Sequence, residues 1–186
     1  MLKIKSKEPK VLFTLFILAI IFQILLLFSI KVIKDIPILK GKKIIVKTVP
    51  VDPASLFRGN YINLNYEFSS INLGEIKCDE KIHFYKGEII YVKLRRIDGE
   101  WKAVEIGKRV FRDLGREEIM LRGFVREYPW GQRIDIKYGI ESYFVPEKEA
   151  KILEEFAFRG GLKVRLSVDS KGHASVCEVF KERQIK

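Results

Sequence analysis

Residues 11–30 form a run of twenty positions without a formal charge, interrupted only by Thr14, Gln23 and Ser29. At helical rise this length crosses a hydrocarbon core. A core helix of a globular protein would carry a polar stripe, whereas this run is apolar all round. It predicts a transmembrane helix over 11–33. The run is too long for a cleaved leader, and Phe28-Ser29-Ile30-Lys31-Val32 offers no small-x-small cleavage site. The segment therefore reads as an uncleaved signal anchor.

Beyond it the periodicity changes. Residues 34–42, with Pro37 and Gly41, read as a short polar stalk. From there the chain alternates with period two, the signature of half-buried strands. A first strand over 44–49 stops at Pro50 and Pro53. In the next, Ile62, Leu64, Tyr66 and Phe68 share one face, and Tyr61, Asn63, Asn65 and Glu67 the other. Ile90, Val92 and Leu94 mark a third strand, which the Asp98-Gly99 turn joins to a fourth over 101–106. After a basic connector, strands follow over 119–126 and 133–140, the second with Ile134, Ile136, Tyr138 and Ile140 in step. Pro146 opens a predicted helix over 147–158 that Gly160 and Gly161 end. A last hairpin joins 162–168 to 174–180 across Lys171-Gly172.

The halves repeat. Gly59, Ile62, Tyr66 and Ser70 fall in step with Gly131, Ile134, Tyr138 and Ser142. Val92-Lys93-Leu94 aligns with Val164-Arg165-Leu166, and Val104-Glu105-Ile106 with Cys177-Glu178-Val179. The expected fold is mainly β: two tandem four-strand β-meander repeats, 43–108 and 118–181, packed as a sandwich or partly closed barrel. The helix near 147–158 plugs one end, and 43–181 form one domain. Residues present in both copies, such as Tyr66 and Tyr138, need only a structural reason. Those present once are the better functional candidates: Asp52, Pro53 and Arg58 from the first copy, and Tyr143, Phe144, Pro146 and Glu147 from the second.

Charge refines the location. The chain carries a net +11 over 186 residues. Its cations are scattered along strands, with no block that signals nucleic-acid binding, and suit a place close to a membrane. The basic tail, residues 1–10, holds Lys3, Lys5, Lys7 and Lys10. Lys31, Lys34, Lys40, Lys42 and Lys43 on the far side nearly balance it. Because short basic tails stay inside and long downstream domains cross regardless of charge, the expected topology is N-terminus inside and domain outside, in the cytoplasmic membrane. Cys78 and Cys177 are the only cysteines; they read as isolated thiols with Cys177 buried in a strand, although an exported domain permits a disulfide.

Asp52-Pro53 followed by Phe57-Arg58-Gly59-Asn60-Tyr61-Ile62-Asn63-Leu64-Asn65-Tyr66 resembles the GDYXXLXY family of bacterial membrane-anchored proteins, with Asn60 where the family has aspartate. Tyr138-Gly139-Ile140-Glu141-Ser142-Tyr143-Phe144-Val145-Pro146-Glu147 is similar to that family's other characteristic stretch. The resemblance implies an anchored, exported domain and assigns it no reaction. Asn60 also removes the carboxylate that a metal role there would need.

The chain is poor in catalytic patterns. His83 and His173 sit near turns with no nucleophile or carboxylate at a recognisable spacing. Asp52, Glu67, Glu141 and Glu147 are the carboxylates that folding would have to gather around a cation. Isolated carboxylates seldom make a site, and no metal or other cofactor is expected. The leading expectation is a non-catalytic binding or adaptor module using Asp52, Arg58, Asn60, Tyr61, Tyr143, Phe144 and Glu147. The bilayer holds residues 11–33, and Gln23 offers a polar contact to a membrane-protein partner. The alternative is a signal-peptidase-like serine hydrolase with Ser55 as nucleophile and Lys93 as base; Ser55 lacks that context and reads more simply as a turn serine. Protease added to spheroplasts checks the topology: the C-terminal domain is expected to be digested, and its protection would reverse the orientation.

Overall fold

The computed structural model describes residues 9–50, 61–78, 83–129, 131–146, 153, 156 and 161–181, with the backbone alone for 9, 10 and 30–40. Two compact units divide between Ile36 and Pro37. Helix α1 (Pro9–Lys40), whose last turn belongs to the second unit, contains the apolar run Val11–Ser29, of mean hydropathy 3.0, none of it buried. The helix continues through Asp35 and Pro37 to Lys40, where the sequence suggested a stalk, and Gly41 follows its end.

The second unit holds ten strands among the described residues: β1 (Lys42–Lys47), β2 (Tyr61–Asn63), β3 (Ser70–Asn72), β4 (Ile89–Ile97), β5 (Glu100–Gly107), β6 (Glu118–Val125), β7 (Arg133–Lys137), β8 (Ser142–Phe144), β9 (Leu162–Val168) and β10 (Ala174–Lys181). They form antiparallel sheets in the orders β1-β9-β10, β2-β8 and β3-β7-β6-β4-β5, sandwich-like and with no closed barrel. Each half thus contributes five strands. The short β3 and β8 were not anticipated, because three residues are too few to display a period.

The connectivity departs from a pair of meanders. Val92 of β4 pairs with Leu121 of β6, and Val164 of β9 with Val46 of β1. The two first strands, β1 and β6, are therefore equivalent, and each joins the hairpin of the opposite half. The short strands cross over as well: β2 pairs with β8, and β3 with β7. Every sheet contains strands from both halves. The core follows suit: Ile44, Val46, Ile62, Val92, Leu94, Leu121, Ile134, Val164 and Leu166 belong to one buried cluster. Burial alternates along β1, β4 and β7, as period two requires.

Equivalent positions repeat their interactions. Each long hairpin carries one bulged residue, Val104 in β5 and Cys177 in β10. Beside each bulge lies an ion pair, Lys93–Glu105 at 2.6 Å and Arg165–Glu178 at 2.5 Å. Cys177 is accordingly half-buried at an irregularity rather than buried in a regular strand, and neither it nor Cys78 is in a disulfide. At the centre the two tyrosines make reciprocal bonds. The Tyr66 hydroxyl donates to the Ile140 carbonyl at 2.8 Å, and the Tyr138 hydroxyl donates to the Phe68 carbonyl at 2.7 Å. The Phe68 ring lies between them, stacked on Tyr66 at 5.1 Å and edge-on to Tyr138 at 5.5 Å. Burial, then the negative charge of Glu141, pushes both phenols well above their usual range, so both remain donors.

Of the helix expected over 147–158, Leu153 and Phe156 are described; both are helical and pack on the core. The Gly161 N–H donates to the Phe156 carbonyl at 2.9 Å, a bond of the type that closes helix ends. The other residues of 147–158 lie outside the described set. Removing either tyrosine hydroxyl leaves a buried carbonyl without its donor, at a cost of about 1–2 kcal/mol. Urea unfolding of Tyr66→Phe and Tyr138→Phe should therefore show losses of this size that agree between the two variants, and a loss in only one would break the equivalence.

Candidate functional site

Strands β2 and β8 come from the two motif-bearing stretches and pair as a two-stranded ribbon: Tyr61 opposite Phe144, Ile62 opposite Tyr143, Asn63 opposite Ser142. Alternation sends successive side chains to opposite faces. Ile62 is fully buried, and Tyr143 packs half-buried against the core. Tyr61 and Phe144 point the other way and are 50% and 54% exposed. Their rings meet edge to face with centroids 5.5 Å apart. Such a pair gains about 0.5–1.5 kcal/mol beyond its area, enough to order both rings while leaving them half in solvent. Val145, fully buried, pins the chain just after Phe144.

The equivalent ribbon in the other half is β3–β7, where Asn72 faces Arg133 and Ile71 faces Ile134. The inner pair is again apolar, but the outer pair is polar. Arg133 Nε donates to Ser70 Oγ at 2.6 Å, so this outer face satisfies itself. Exposed aromatics belong to one ribbon only.

Of the residues singled out from the sequence, Tyr61 and Phe144 are thus brought together, while Tyr143 lies on the opposite face of the ribbon. Asp52, Arg58, Asn60 and Glu147 lie outside the described residues, as does Ser55. Lys93 is held by Glu105 at 2.6 Å, with its ammonium over the Phe111 ring at 4.7 Å. The Arg165–Glu178 pair occupies the matching place. Glu141 accepts the N–H groups of Tyr138 and Gly139, which makes its carboxylate a turn cap. Among the described residues no group of three His, Cys, Asp or Glu is placed to hold a metal ion.

Two features escaped sequence reasoning. One is a network at the β9–β10 turn. The guanidinium of Arg122 donates to His173 Nε2 at 2.7 Å, which leaves the ring proton on Nδ1 to donate to Asp169 at 3.0 Å. Burial raises the Asp169 carboxyl, but bonds from His173 and the Lys171 N–H outweigh it and hold it low. The turn is fastened to β6, since the Arg122 N–H donates to the Gly172 carbonyl at 2.8 Å. The second feature is a cleft of about 400 Å³ between β1 and the β4–β5 hairpin. No sequence signal announces either, because each joins residues far apart in the chain.

An apolar helix of spanning length, followed by a duplicated β domain whose halves exchange their first strands, defines the class: it is consistent with a single-pass membrane-anchored protein. The chain matches the family described as GDYXXLXY protein over residues 23–179 and belongs to that family. No curated protein and no solved structure matches it.

Proposed function

We propose that this protein is a non-catalytic adaptor, held in the cytoplasmic membrane by residues 11–33 with its N-terminus inside and its β domain outside. It docks a membrane or envelope protein through the outer face of the β2–β8 ribbon. The supporting observation is the difference between the two ribbons. Where duplication leaves the inner residues alike, the outer pair is Tyr61 and Phe144 on one ribbon and Arg133 and Asn72 on the other. Half-exposed, mutually ordered aromatics are the kind of anchor that protein interfaces bury. Nothing in the core requires them to be aromatic.

In this reading Asp52, Arg58 and Asn60, which precede β2 in the chain, and Glu147, which follows β8, belong to the same proposed binding set. Gln23 gives the anchor helix one polar contact for a neighbouring helix. A binding role also agrees with Lys93, whose ammonium is committed to Glu105.

A photo-crosslinking residue placed in turn at Tyr61, Phe144 and Arg133 of the full chain in cells tests the reading. Discrete adducts are expected from Tyr61 and Phe144, with none from Arg133, the matched position on the polar ribbon. Equal labelling at all three, or labelling at none, overturns it.

A further inference from the structure

Among the described residues, the tips of the two long hairpins differ in how closely they are packed. Gly99 and Gly172 sit at the turns of the two long hairpins, both at positive φ, +84° and +86°. Around Gly172 the turn is closed against β6: a Cβ there would lie 2.9 Å from the Arg122 nitrogen. Around Gly99 there is nothing within 4 Å. The cleft lies between this hairpin tip and β1, which the Lys47–Glu100 pair bridges.

Its lining is cationic: Lys43 and Lys47 from β1, Arg96 from β4 and Lys163 from β9, against the acids Glu67 and Glu100. Glu100 is matched by Lys47 at 2.8 Å. Lys43 and Arg96 make no ion pair among the described residues. Trp101 forms an aromatic wall, with the Lys42 ammonium 5.7 Å from its ring centre.

Strand register identifies what stands at the same places in the closed half. Lys43 corresponds to Glu118, Arg96 to Val168, Trp101 to Ala174 and Lys163 to Tyr91. Of the four cations only Lys47 keeps a basic counterpart, Arg122. The positive lining is therefore not inherited from the repeat and has no fold-level reason, since the closed half folds without it.

We propose that this cleft binds a phosphate monoester or diester. Arg96 and Lys43 would take the phosphate oxygens, because guanidinium offers a planar fork of donors and ammonium a point charge suited to that group. Trp101 packs on the carbon skeleton attached to it. The volume lies within the range of small-molecule sites. Two sources share this chemistry: the headgroup of an anionic phospholipid, and a phosphate ester in solution. The cleft floor is the first strand after the apolar helix in chain order, in a sequence neighbourhood rich in lysine. The surface is separate from the Tyr61–Phe144 face, so either proposal can fail without the other.

Trp101 is itself a reporter, since Trp130 is the only other tryptophan. Full-length protein carrying Trp130→Phe is placed in phosphatidylcholine nanodiscs and titrated with glycerol 3-phosphate at constant ionic strength. In a second arm, phosphatidylglycerol replaces part of the phosphatidylcholine. A saturable change in Trp101 emission is expected in at least one arm; the first arm identifies a soluble ester and the second alone a lipid headgroup. In that arm Lys43→Gln/Arg96→Gln should move the midpoint at least tenfold, and Lys137→Gln/Lys171→Gln, which removes equal charge elsewhere, less than twofold. Arg96→Gln alone serves if the double variant loses its thermal transition. No saturable change in either arm overturns the proposal, as does equal weakening by the control pair, which would mean diffuse attraction.

Discussion

Exchange of the first strands is the constraint on which the rest of this domain depends. β1 completes the sheet of the β9–β10 hairpin, and β6 completes that of the β4–β5 hairpin. A hairpin with one apolar face and no cover is marginal by itself. Here each hairpin receives its third strand from the other half, so neither half has a finished sheet or a private core. The reciprocal bonds of Tyr66 to Ile140 and Tyr138 to Phe68 sit at the centre of this arrangement. Each closes a buried carbonyl of one half with a hydroxyl of the other. Cooperativity between the halves follows directly, because separating them opens both sheets and both tyrosine bonds at once.

Duplication also supplies an internal reference. Where matching positions agree, as with the bulges at Val104 and Cys177 or the Lys93–Glu105 and Arg165–Glu178 pairs, the fold is sufficient explanation. Where they differ without structural need, selection for something else is the simpler account. Two differences meet that standard: the aromatic outer face of the β2–β8 ribbon and the cationic cleft beside β1. The Arg122–His173–Asp169 network is a difference with a structural reason, since it fastens the β9–β10 turn to β6.

Much of this was legible along the chain. The apolar run is unmistakable because a membrane-length helix needs no periodicity. Strict alternation in 61–68, 88–95 and 133–140 marked which residues turn inward, and Tyr66 and Tyr138 are buried as that alternation requires. Strand exchange was not legible. β1 and β6 have no evident sequence similarity, and pairing is decided by contacts between residues far apart in the chain. Ser70-Ile71-Asn72 and Ser142-Tyr143-Phe144 were too short to show a period, which also hid the fact that Tyr143 and Phe144 face opposite ways. The continuation of α1 past Pro37 was obscured by a residue that usually ends helices but is compatible with helical φ.

The most direct test of interlocked halves is a single cut between β5 and β6. Residues 112–117 are exposed and lie in no strand, so a protease site there is accessible in the folded protein. With an affinity tag at the N-terminus of detergent-solubilised protein, cleavage should leave the fragment carrying β6 to β10 bound to the tagged fragment, and urea should release it. Released alone, that fragment should lack a cooperative thermal transition. Spontaneous separation in native buffer, or a free fragment that unfolds cooperatively, would contradict the exchange of strands.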